Sequence, residues 1–173
     1  WKRTKIANES SGKVFISVHA NASTKSKKAK GFETYLLRPG KTEEAIEVAS
    51  RENAVIALEI KSHDYGEYTD EKIILATMAQ NEFLKQSETL AGLVQESLGK
   101  RLKSENRGVK QAGFYVLVGA SMPNILIETG FLSNEKEAKN LTKKKYQDHI
   151  VEGIFEALVN YKEKYESTII DIN

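Results

Sequence analysis

The chain predicts an α/β fold, a three-layer sandwich in which a mostly parallel sheet is flanked by helices. Three observations carry the prediction. Short apolar runs recur between longer segments with helical apolar spacing, the alternation that builds a sheet covered by helices. Two of those runs end on chemistry: Val14-Phe15-Ile16-Ser17-Val18 leads into His19-Ala20-Asn21-Ala22, and Ile125-Leu126-Ile127 leads into Glu128 and a glycine turn at Gly130. A length of 173 residues, 40% hydrophobic and 29% charged, suits one domain with a substantial core.

Taken in order, residues 2–8 read as helix, 13–18 as a strand and 23–30 as a polar loop. A strand over 32–37 is closed by Pro39-Gly40. In the helix over 42–59, Ala45, Ala49 and Ile56 form an apolar stripe. Glu52 falls on that stripe, where a carboxylate does not belong. One reading is a helix-edge glutamate paired with Arg51 or a nearby lysine. The other is a mobile helix that docks over a site, followed by the polar linker His63-Asp64-Tyr65-Gly66-Glu67-Tyr68. Residues 70–102 read as a long core helix with a break near Gly92. Strands are expected over 114–118 and 124–127, Pro123 setting the entry to the second, and helices over 135–141 and 143–164. The tail 168–173 reads as an added edge strand or a frayed end.

Composition excludes several classes. A net charge of +2 is too small to argue for nucleic acid, and Lys25, Lys27, Lys28 and Lys30 have no interleaved aromatics for base stacking. That run is a solvated loop first and an attractor for an anionic polymer second. With no cysteine, thiol chemistry, Cys-ligated zinc and disulfides are excluded. No apolar stretch approaches the roughly 18 residues of a membrane span, and no signal peptide is visible. Trp1-Lys2-Arg3 enters a helix already under way, so the chain is expected to be a processed piece or fragment.

The candidate site is the pair of strand ends. Burying Glu128 is costly unless something pairs with it or uses it, and ligands collect at the carboxyl ends of strands in α/β sheets. His19 at the equivalent position is either a metal ligand or a histidine bonded to backbone. His63 reads as solvated and His149 as a helix-flank residue; neither has metal-ligand spacing. Glu33 reads first as a structural carboxylate that satisfies backbone donors and second as a member of the catalytic neighbourhood. Nucleophile elbows and phosphate-binding glycine loops are missing.

Several segments resemble the bacterial zinc-dependent N-acetylmuramoyl-L-alanine amidases of type 3. Phe15 to Ala22 is similar to their strand ending Ser-Ile-His-Ala-Asn-Ala, and Gly31-Phe32-Glu33-Thr34-Tyr35 to the next strand. Ser87 to Ala91 and Gln111 to Leu117 match later segments, and Pro123 to Asn134 resembles the Glu-Thr-Gly-Phe signature. The resemblance implies a hydrolase cutting the amide between N-acetylmuramic acid and the L-alanine of the stem peptide, with one zinc held by two histidines and a glutamate. It assigns His19 as a zinc ligand, Glu128 as the catalytic carboxylate and Asn21 to the substrate neighbourhood.

In the family the first zinc histidine and the zinc glutamate lie before the position of Trp1. Residues 1–173 are therefore expected to be an amidase catalytic domain lacking its N-terminal part, inactive alone because catalytic zinc needs about three protein ligands. Residues 41–68 resemble the insertion of the cell-separation subgroup, whose helix plugs the site until an activator protein displaces it. Ser50-Arg51-Glu52-Asn53-Ala54 is similar to that helix, which makes Glu52 the candidate inhibitory metal ligand and Glu59 its rival. The implied partners are peptidoglycan and an activator, and the implied location is the bacterial periplasm or exterior. The competing class is a non-catalytic wall-binding module that retains the fold.

Overall fold

The structure is a computed structural model that describes residues 2–59, 74–75, 78 and 81–170. Among the described residues the helices are α1 (Lys2–Glu9), α2 (Glu43–Glu59), α3 (Asn81–Arg101), α4 (Glu135–Leu141) and α5 (Lys144–Ile170). The strands are β1 (Phe15–Asn21), β2 (Phe32–Leu37), β3 (Asn106–Ala112) and β4 (Asn124–Phe131). They form one sheet in the order β1-β4-β2-β3. β1 and β4 run parallel: the Phe15 amide donates to the Pro123 carbonyl at 2.9 Å, and at the far end the Leu132 amide donates to Asn21 at 2.6 Å. β2 and β3 are parallel by the same test, Phe32 donating to Glu105 and Arg38 to Ala112. Every residue of β2 and β4 is buried, as a sheet covered on both faces requires, while the edge strands β1 and β3 are mixed. The α/β prediction holds.

The chain divides into two compact units, and each strand gives residues to both. The first comprises Trp1–Val18, Tyr35–Ser87 and Lys110–Ile127. Its core joins Tyr35, Val48, Ala49, Phe114, Leu117 and Leu126. The Tyr35 and Phe114 rings meet edge to face at 4.9 Å, a geometry that adds about 0.5–1.5 kcal/mol beyond buried area. α2 starts at Thr42, whose Oγ1 accepts from the Ala45 amide at 3.2 Å, and Glu43 and Glu44 sit where the helix dipole favours negative charge. Asn53 then clamps it: Nδ2 donates to the Gly113 carbonyl at 2.8 Å, and Oδ1 accepts from the Tyr115 amide at 2.8 Å. With Ala45, Val48 and Ala49 buried, the described part of α2 is a core helix up to Asn53.

The second unit comprises His19–Thr34, Glu88–Val109 and Glu128–Asn173. Leu90, Val94 and Leu98 bury one face of α3. Two charged networks replace hydrophobic contacts here. Glu33 is fully buried; its Oε2 accepts from Arg107 Nε and its Oε1 from Asn21 Nδ2, both at 2.9 Å. The Arg107 guanidinium also lies 5.3 Å from the centre of the Phe131 ring. Glu33 thus has a structural role, with the side chains of Arg107 and Asn21 as its partners here in place of the backbone donors expected.

The buried Glu137 is the second network. It accepts from the Gly31 amide at 2.8 Å, from the Phe131 amide at 2.8 Å and from the Ser104 hydroxyl. Glu137→Ala strands two buried amides, so it is expected to destabilise the protein by about 2–4 kcal/mol. Urea unfolding checks this, and an unchanged midpoint would remove Glu137 as an anchor. The same carboxylate lies near Tyr146, whose hydroxyl is pushed above the usual tyrosine range first by burial and then by the Glu137 charge.

Several boundaries differ from expectation. The first strand runs two to three residues later, so His19 lies inside it and not beyond it. β4 extends through Glu128 to Phe131, so a strand stands where a glycine turn was expected. Residues expected as a strand over 114–118 contain a 3-10 turn at Tyr115–Leu117, and the strand lies earlier, at Asn106–Ala112. α3 passes through Gly92 unbroken. α5 continues to Ile170, so helix replaces the edge-strand reading of 168–170. The loop lysines Lys25, Lys27, Lys28 and Lys30 are exposed, as a solvated run requires. The linker from His63 to Tyr68 lies outside the described residues.

Candidate metal centre

His19 and Glu128 stand on neighbouring parallel strands, β1 and β4. Their register is pinned beside the site, because Thr129 Oγ1 donates to the His19 carbonyl at 2.9 Å. Glu128 is fully buried, whereas His19 is half-buried. The apolar run Ile125-Leu126-Ile127, buried throughout, drives β4 into the interior and carries Glu128 with it. A carboxylate is not stable there for its own sake; it needs a cation, a donor or a function.

His19, half-buried Glu52 and Glu128 each offer one ligand atom, and these atoms all lie within 4.8 Å of one another. Zinc takes imidazole nitrogen and carboxylate oxygen at about 2.0–2.2 Å, which puts two donors of one ion at most about 4.3 Å apart. In the tetrahedral arrangement zinc favours, those bond lengths set its donors about 3.3–3.6 Å apart, so the donor types suit zinc while their spacing is wider than that of a formed site. The group joins the three residues singled out from sequence. Asn21 lies two residues past His19 and is fully buried; its amide donates to Glu33 and its Oδ1 accepts from the Ala22 amide at 2.7 Å. Its side chain holds the end of β1. His149 lies on the flank of α5, as expected, half-buried. The side chain of Glu59 lies outside the described residues.

Three positioning residues escaped the sequence reading. Asn53 anchors the helix that bears Glu52, Arg107 neutralises Glu33, and Glu137 ties the end of β4 to α4. Only the last left a signal, the spacing Asn134-x-x-Glu137. Asn134 caps α4 by accepting from the Lys136 and Glu137 amides. Arg107 sits in a strand with little apolar alternation, and nothing local marks it.

Comparison with known proteins places this geometry. A Buchnera aphidicola protein described by the name N-acetylmuramoyl-L-alanine amidase is 31% identical over 164 residues, covering 93% of this chain and 69% of the relative. AmiA of Escherichia coli is 26% identical over 163 residues, covering 93% of this chain and 56% of AmiA. Among solved structures, the N-acetylmuramoyl-L-alanine amidase of Clostridium difficile 630 superposes with a TM-score of 0.61 at 26% identity, over 94% of this chain and 64% of that one. The CwlD amidase of Clostridioides difficile, solved in complex with the GerS lipoprotein, gives 0.62 at 27% identity over 93% and 60%. The chain thus spans between about half and seven tenths of these relatives' lengths. The sequence profile of the N-acetylmuramoyl-L-alanine amidases matches residues 1–160, and the chain belongs to that family.

Proposed function

We propose that the protein hydrolyses peptidoglycan at the amide between N-acetylmuramic acid and the L-alanine of the stem peptide. The observation that carries this reading is the convergence of His19 and Glu128 with a third donor, within a fold of the amidase family. His19 would hold zinc through an imidazole nitrogen. Zinc, when bound, polarises the amide carbonyl and acidifies water. Glu128 takes the proton of the attacking water at a carboxylate oxygen and returns it to the leaving amine. Asn21, through Glu33, keeps the end of β1 in place. His19 is the one residue here that matches the family's zinc ligands, so residues 1–173 alone are inactive in this proposal.

Glu52 is the inhibitory element of the reading. The Glu52 carboxylate, within 4.8 Å of the ligand atoms that His19 and Glu128 offer, would take up the place that water and substrate need beside a bound metal. A partner that draws Glu52 away activates the enzyme. The work is done in the cell envelope, where the substrate lies, and among the described residues no helix is long and apolar enough to cross a membrane.

Metal analysis of the full-length protein, with muropeptide cleavage before and after chelation, tests the central claim. About one zinc per protein is expected, with cleavage lost on chelation and restored by zinc. Intact cleavage in a metal-free sample would sink the zinc mechanism.

A further inference from the structure

We infer that a lysine-lined groove just past the end of β4 is a subsite for the carboxylates of the stem peptide, a reading that rests on the function proposed above. The groove has a volume of about 590 Å³ and is lined by Lys27, Ser133, Asn134, Lys136, Lys139 and Lys143, with Glu135 as its acidic residue. Glu135 is taken by Lys139 at 2.5 Å. Lys143 donates to the neutral Asn140 side chain at 3.0 Å. Among the described residues no carboxylate pairs with Lys27, Lys136 or Lys143. Three uncompensated ammonium groups around one concavity repel each other when it is empty and concentrate anions in it. Lysines kept only for solubility need no shared concavity.

Reach selects the anion. Ser133 lies five residues past Glu128 on a segment that is strand as far as Phe131, so the two are at most about 17 Å apart. An extended peptide of four or five residues spans about 13–17 Å. A stem peptide with its first amide at Glu128 is therefore long enough for its later carboxylates to reach the groove. Lys27 comes from the lysine loop, which the catalytic reading leaves without a role.

The test uses the full-length protein and a double variant, Lys27→Gln with Lys136→Gln, two exposed side chains whose loss leaves the fold intact. The probes are an N-acetylmuramoyl tetrapeptide with free carboxylates and its counterpart with those carboxylates amidated. Calorimetry should show the wild type binding the free acid about fivefold more tightly at low salt, with the preference fading at high salt. The double variant should bind both peptides alike, with raised KM for the acid and unchanged kcat. A preference that survives in the double variant overturns the subsite. So does a variant that keeps it but loses binding only to sacculi bearing phosphodiester polymers, which would assign the groove to those polymers. If the wild type prefers the acid in binding yet cleaves neither peptide, the hydrolase reading fails and the subsite stands.

Discussion

Glu128→Gln should lower kcat for muropeptide hydrolysis by about 10²- to 10⁴-fold, the range general acid–base catalysis supplies, while zinc content stays near that of the wild type. The substitution is nearly isosteric and replaces a fully buried side chain within β4, so packing changes little. An amide cannot take the water's proton, which is why the loss should fall on kcat and leave KM largely alone. Unchanged kcat would remove Glu128 from the chemistry. A parallel collapse of zinc content would recast it as a ligand, a role its place in the three-residue group also permits. Measuring metal and rate on the same preparation separates these outcomes.

Glu52→Ala should do the opposite, raising the basal rate of the full-length protein by about tenfold or more, the scale of a coupling of 1–3 kcal/mol between an inhibitory contact and the active state. The side chain is half-buried on α2, between the core residues Val48 and Ala49 and the clamp at Asn53. Because Glu52 lies within that anchored stretch, relief requires either rotation of the Glu52 side chain itself or release of the Asn53 clamp. An unchanged basal rate with normal zinc content would return Glu52 to the plainer reading, a charged residue on a helix edge. The prediction also fixes the sign for an activator: it should raise the rate of the wild type and have little left to do in the variant.

His19 and Glu128 were legible in the chain because each directly follows an apolar run that forms the body of its strand. Apolar runs force β1 and β4 inward, and anything polar at their ends is placed by the same driving force. His19 and Glu128 could be paired from those runs alone. The strand boundaries were less legible. β4 was expected to stop at Ile127 because a glutamate and a glycine follow, yet the backbone stays extended through both. Pairing within the sheet, with both faces buried, outweighs local propensity there.

β3 went unseen for a related reason. Asn106 to Ala112 offers only Val109 and Ala112 as apolar residues, and an edge strand has little interior to fill. Its place in the fold depends on Arg107 meeting buried Glu33, a partner 74 residues away. No sequence window contains that pair.

From the sequence alone came the layer architecture, the two chemistry-bearing strands and the misplaced carboxylate on α2, because each is written in local periodicity. Only the tertiary structure decided that His19, Glu52 and Glu128 share one place, that Asn53 anchors the helix bearing Glu52, and that Glu137 and Arg107 support the strands around the site. The physical reason is separation along the chain. Buried charges and ligand sets are stabilised by partners brought together by folding, and their worth depends on distance and desolvation that no stretch of sequence carries.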